Sequence, residues 1–140
     1  MAFKVSVSPA AEGGGGDSFE LSEKIVKSVR YKTDTPDDSN ARARDVGAIL
    51  VITGDLLQVA EEETKKMAKW SLESKLPYKN VVVNQTAGSF VIREYTFTHA
   101  FVVDYIEETS EDEGDGKFTL IIKQKKDKLE EVKIEGGYGA

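Results

Sequence analysis

Short stretches with an apolar residue at every second position recur along most of this chain, and that period of two limits the fold more than any other feature. Phe3, Val5 and Val7 alternate with Lys4, Ser6 and Ser8. Phe118, Leu120 and Ile122 alternate with Lys117, Thr119, Ile121 and Lys123. Such alternation belongs to strands with one face against a core. Val81–Val83, Phe90–Thr98, Ala100–Glu107 and the pair Val132 and Ile134 read as further strands. Ile25, Val29 and Tyr31 are candidate inward positions in an extended stretch from Phe19 to Thr35. Ala48–Gly54 differs, because Ile49, Leu50, Val51 and Ile52 run without interruption. That is the mark of a fully buried strand.

One segment breaks the period. Residues 61–75 predict the only substantial helix, with Glu61, Glu62 and Glu63 in its first turn and Lys75 at its end, as the helix dipole favours. Met67 and Trp70 share a face at i, i+3. Pro77 closes it. The fold class expected is mainly β with one α-helix, as a small antiparallel barrel or sandwich. With 140 residues the chain suits a single domain, 1–140, able to bury a core without staples.

Three parts stand apart within that domain. Residues 1–18 are expected to be a flexible N-terminal strand ending at Pro9, followed by a glycine tract, Gly13–Gly16. The tract lacks the Gly-Lys-Ser/Thr ending and following helix of a phosphate loop, so it reads as a linker. Residues 33–47 form an extended loop whose polar part is about ten residues or more, against medians of about 4–6 for ordinary connections. Within it Arg42 and Arg44 suit either phosphate or carboxylate partners. The third part is an acidic hairpin.

The net charge of −6 arises there. Glu107, Glu108, Glu111, Asp112, Glu113 and Asp115 follow one another with no base between them, and the remaining residues balance to zero. An overall basic footprint for nucleic acid is absent. The spacing of Glu111, Glu113 and Asp115 loosely resembles a calcium loop, yet position twelve would be Ile122 rather than a bidentate glutamate. Gly114 and Gly116 make it a hairpin turn instead. The basic run Lys123–Lys128 has no interleaved aromatics to stack bases.

Nothing resembles catalytic machinery. There is no cysteine, which removes disulfides, thiolate metal sites and cysteine nucleophiles. His99 is the only histidine and no nucleophile elbow or metal-binding spacing surrounds it, so it reads as a loop or strand-end residue. Glu130 and Glu131 are adjacent and on a strand would face opposite sides. No enzyme, metal or cofactor is expected. Residues 48–52, the longest apolar run, are too few to cross a membrane, and the N-terminus lacks the apolar stretch of a signal peptide.

The order of these elements, with Arg93–Val103 and the acidic hairpin leading into Lys117–Lys123, resembles the Hcp family of type VI secretion tube proteins, which is similar in fold to phage tail-tube proteins. Small clostridial proteins labelled membrane-associated protease 1 look closest over Arg93–Gly137, although no protease constellation is present. The resemblance covers about residues 19–138. It implies a structural inner-tube subunit, assembling as a hexameric ring and stacking into a tube with a central channel. Sheath, baseplate or spike proteins and a cargo effector would be its partners. It implies synthesis in the bacterial cytoplasm and ejection through the apparatus. The long loop would reach a neighbouring subunit, with Thr35, Pro36, Asn40, Arg42 and Arg44 at the interface. The other reading of the same barrel is a monomer binding a small molecule or peptide, with Trp70 and Tyr95 in its mouth.

Overall fold

The computed structural model describes residues 1–34, 46–112 and 114–137. Eight strands form one sheet that curls into a barrel: β1 (Ala2–Gly14), β2 (Phe19–Leu21), β3 (Val26–Asp34), β4 (Gly47–Leu56), β5 (Pro77–Ala87), β6 (Phe90–Glu108), β7 (Gly116–Gln124) and β8 (Lys133–Gly136). The order is β2-β1-β5-β6-β7-β4-β3, with β8 paired to β6, and every pairing is antiparallel. The terminal strands do not complete a ladder; β1 packs beside β3, and this contact closes the barrel. A short 3₁₀ turn, Gln58–Ala60, leads into the helix α1, Glu61–Trp70.

The alternation seen in the sequence is what builds the interior. Val5 and Val7 of β1 face in with Val81 and Val83 of β5, their registered partners. Leu50 and Ile52 of β4 pair with Ile122 and Leu120 of β7, and all four are fully buried. Met67 and Trp70 bring the helix onto this core, where the indole meets Phe19 at 6.2 Å between ring centres. Gly54 is required where β4 crosses the turn before β3. A Cβ there would lie 2.2 Å from the Ile25 carbonyl and 2.7 Å from the Phe118 ring.

Several boundaries differ from the sequence expectation, among them β5, which runs from Pro77 to Ala87 rather than Val81–Val83. The helix ends at Trp70 rather than at residue 75. The Trp70 indole N–H donates to the Pro77 carbonyl at 2.8 Å, and the Glu73 carboxylate accepts the N–H groups of Lys75 and Leu76. These bonds fold the chain back towards β5 one turn early. Pro9 does not end β1, which runs to Gly14. Pro9 lies past the end of β2, where β1 has a single partner, and beside a bulge. Both are positions where a strand tolerates proline. The glycine tract is therefore tied down at its start, through Gly14 against Pro77 and Tyr78.

A further difference is at His99. Phe90–Thr98 and Ala100–Glu107 are one 19-residue strand, and His99 lies within it. The register shifts between Lys79↔Ala100 and Val81↔Phe97, so β6 carries one extra residue in this step. A bulge of this kind inverts the alternation, which is why His99 and Ala100 are both buried. The fully buried Gln124 carboxamide repairs the interrupted ladder. Its oxygen accepts the His99 backbone N–H at 2.9 Å, and its nitrogen donates to the Thr98 hydroxyl and the Lys128 carbonyl.

Candidate assembly surfaces

The surface that stands out is the outer face of β3-β4-β7-β6. In-register rows cross it: Lys32–Ile49–Lys123–Phe101, then Arg30–Val51–Ile121–Asp104. A second bulge places Val103 beside Asp104 on β6, and Val103 is 53 % exposed. The apolar members make a stripe along the sheet centre, interrupted by Lys123, with Arg30 and Lys32 on the β3 side and Asp104 on the β6 side. The uninterrupted run Ile49–Ile52 is the sequence signal for it. Leu50 and Ile52 fill the barrel, while Ile49 and Val51 take the alternate positions on the other face, where Ile49 is still only 9 % exposed and Val51 is half-buried. A strand apolar on both faces is ordinarily covered on both. By contrast, the outer face of β1 and β5 is mostly polar, carrying Lys4, Ser6, Asn80 and Asn84.

Sheet edges supply a second kind of surface. Among the described residues β3 pairs only with β4, and the four-residue β8 pairs only with β6. Edge strands of this sort present unpaired backbone groups to another chain. The expected loop leaves from the end of β3, where Thr33↔Ala48 and Asp34↔Gly47 are its last ladder pairs. Asp34 also forms an ion pair with Lys123 at 3.9 Å. Thr35, Pro36, Asn40, Arg42 and Arg44 lie outside the described residues, as does Glu113.

The acidic hairpin joins β6 to β7. Glu107, Glu108, Glu111, Asp112 and Asp115 are all exposed there. The Asp112 N–H reaches the Ser110 hydroxyl at 3.3 Å, which shapes the turn. At its base the Tyr105 hydroxyl donates to the Glu107 carboxylate at 3.2 Å. Burial, with the Glu107 charge beside it, pushes the Tyr105 phenol well above its ordinary value.

The residues proposed for a ligand-binding mouth are placed elsewhere. Trp70 is 3 % exposed and part of the core. Tyr95 stacks on Tyr31 at 5.2 Å between ring centres, and both pack on the core. The barrel interior is filled by side chains, so the two do not share a barrel mouth; Trp70 meets the surface only in a small cleft beside Lys66, Lys69 and Lys79. His99 Nδ1 is 3.0 Å from the Thr98 hydroxyl, and its ring lies against Tyr78. No group of His, Asp or Glu side chains is arranged to hold a metal among the described residues. No helix among them is long and apolar enough to cross a membrane.

No protein-family model matches the sequence, and no curated protein matches it. Solved structures do match the fold. Hcp1 from Flavobacterium johnsoniae superposes with a TM-score of 0.59 at 18 % identity, covering 98 % of this chain and 97 % of that one. Hcp1 of the E. coli EAEC 042 pathovar gives 0.56 at 10 % identity, over 99 % and 100 % of the two chains. A chain of an extracellular contractile injection system, in its sheath–tube complex in the extended state, gives 0.54 at 12 % identity over 96 % and 88 %. The chain thus has the Hcp-like fold from end to end: mostly antiparallel sheet with one helix.

Proposed function

We propose that this chain is the inner-tube subunit of a contractile injection or phage tail-like apparatus, forming hexameric rings that stack around a central channel. The observation that carries this reading is the likeness in fold to Hcp1, which covers 98–99 % of this chain and 97–100 % of the two solved chains. The second support is the sheet itself. It has exposed edges, and the outer face of β3-β4-β7-β6 carries apolar residues among its charges, which suits cover by neighbouring subunits. A heterologous contact that closes makes a ring. Sheath, baseplate or spike proteins would surround the tube, and a cargo effector would travel with it. The chain would be made in the bacterial cytoplasm and ejected through the apparatus. It performs no reaction in this role; its work is polymerisation. The clostridial proteins labelled membrane-associated protease 1 would be relatives that share the tube role rather than a protease activity.

Within that assembly, Thr35, Pro36, Asn40, Arg42 and Arg44 are proposed to contact the next subunit. Light scattering and negative-stain images of purified protein test both statements. The expected result is a species of about six times the 15.4 kDa chain mass with a visible channel. Deleting residues 36–44 should abolish rings or stacking and keep the β far-UV spectrum. A monodisperse monomer at high concentration would overturn the tube reading, whereas intact rings from the deletion variant would overturn only the loop's role.

A further inference from the structure

The end of α1 and the glycine-rich segment enclose a cleft of about 170 Å³. Its floor is Trp70, and Lys79 of β5 forms its inner wall. Lys79 occupies an inward position, in phase with Val81 and Val83, and is only 2 % exposed. Its ammonium donates to the carbonyls of Gly15 at 2.6 Å and Asp17 at 2.9 Å. These acceptors are neutral, and an ammonium has three protons to give. Burying it without a counter-charge is costly. Among the described residues no carboxylate reaches ion-pair distance of Lys79; Asp17 and Glu73 act on it only through space.

Two more cations line the same cleft. Lys66 and Lys69 sit three residues apart on one face of α1, so their side chains are neighbours. Neither makes an ion pair within the described residues, whereas Lys65 on the next face is engaged by Glu61 and Glu62. The opposing charges are Asp17 and Glu73. Glu73 is already committed to the N–H groups of Lys75 and Leu76, which hold its carboxyl below the usual range. The cleft therefore has three ammoniums against two carboxylates. Gly16 lets the segment close over it: φ is +78°, and a Cβ there would come within 3.1 Å of the Lys79 ammonium.

We propose that this cleft binds a small tetrahedral oxyanion, phosphate or sulfate, between Lys66, Lys69 and Lys79. It is unlike a phosphate loop. The glycines shape the wall, and the cations, Lys66, Lys69 and Lys79, come from a helix and a strand far along the chain from Gly15 and Gly16.

Calorimetry and thermal melts of the full chain in sodium phosphate and sodium sulfate test it, with sodium chloride at matched ionic strength as the reference. Saturable heat and a raised Tm are expected with phosphate or sulfate and not with chloride. Lys66→Ala and Lys69→Ala should each weaken binding by about tenfold, as loss of one charge-assisted contact implies, and leave the Tm in chloride unchanged. Both anions also stabilise proteins generally by exclusion from the surface. A Tm rise that persists undiminished in the double variant, or saturable binding that the double variant retains, would overturn the proposal. Amide NMR shifts on adding inorganic phosphate give a second reading. They should centre on residues 15–17 and 66–70, and shifts confined to other residues would overturn it as well.

Discussion

Tyr105 and Lys79 show how far a single side chain's surroundings decide its behaviour. Both sit in strands, and both are polar. Tyr105 keeps its phenol proton because burial and the Glu107 charge penalise the phenolate. In the unfolded chain it titrates near its ordinary value of 10.0. Between that value and the raised folded value, the folded state holds a proton that the unfolded state has lost. Stability is therefore constant below the ordinary value and falls as pH rises above it. Tyr31 acts in the same direction, raised by burial and by Tyr95. Lys79 acts oppositely, since burial lowers its value from 10.5 and unfolding then takes up a proton in the window just below that. Urea denaturation across the alkaline range should show the tyrosine loss reduced in Tyr105→Phe. An unchanged alkaline slope would remove Tyr105 from this account.

At the scale of elements, the departures from simple alternation are the informative positions. The bulge at Thr98–His99 lets β6 change phase and serve two partners in succession, β5 along its first part and β7 along its last. Gln124 supports that change from the end of β7. Lys79 and Gln85 hold inward positions on β5 beside Val81 and Val83, which hides the true length of this strand from a hydrophobicity pattern. Only Val81–Val83 shows itself in the sequence for this reason. Gly54 is a similar case, where close approach rather than turn geometry sets the residue type. Gly54→Val should cost about 1–3 kcal/mol by overpacking against the Ile25 carbonyl and the Phe118 ring. Guanidinium unfolding would measure it, and an unchanged midpoint would show that the β4 crossing yields more readily than this geometry implies.

For the whole molecule, the acid surplus is concentrated in one place, and the apolar residues of the outer sheet face are interspersed with Lys123 and Asp104. The acid surplus of the sequence lies in one exposed hairpin, while the apolar stripe runs over β4, β7 and β6. If rings form and these tips meet at a stacking surface, repulsion between them should be screened by salt, over a Debye length of about 30 Å at 0.01 M and 10 Å at 0.1 M. Tubes in electron micrographs should then lengthen as salt rises, and Glu111→Gln, Asp112→Asn and Asp115→Asn together should remove the dependence. Tube length that ignores salt would place the hairpin away from ring-to-ring contacts.

The sequence by itself determined the class of fold: strands with one core-facing side, one helix, and a single acidic tip. These are local properties, carried by periods of two and 3.6 and by runs of like charge. It also carried, in the unbroken run Ile49–Ile52, the sign of a strand apolar on both faces. Tertiary structure alone decided the rest. The helix stops at Trp70 because an indole N–H finds a carbonyl seven residues on, and β1 runs past a proline because β2 ends short of it. His99 is buried because a bulge shifts β6 by one residue, where a glutamine 25 residues away accepts its backbone N–H. The lysine cleft assembles from segments that only the barrel brings together. Each outcome depends on which distant groups meet, and a pattern read along the chain contains no information about those meetings.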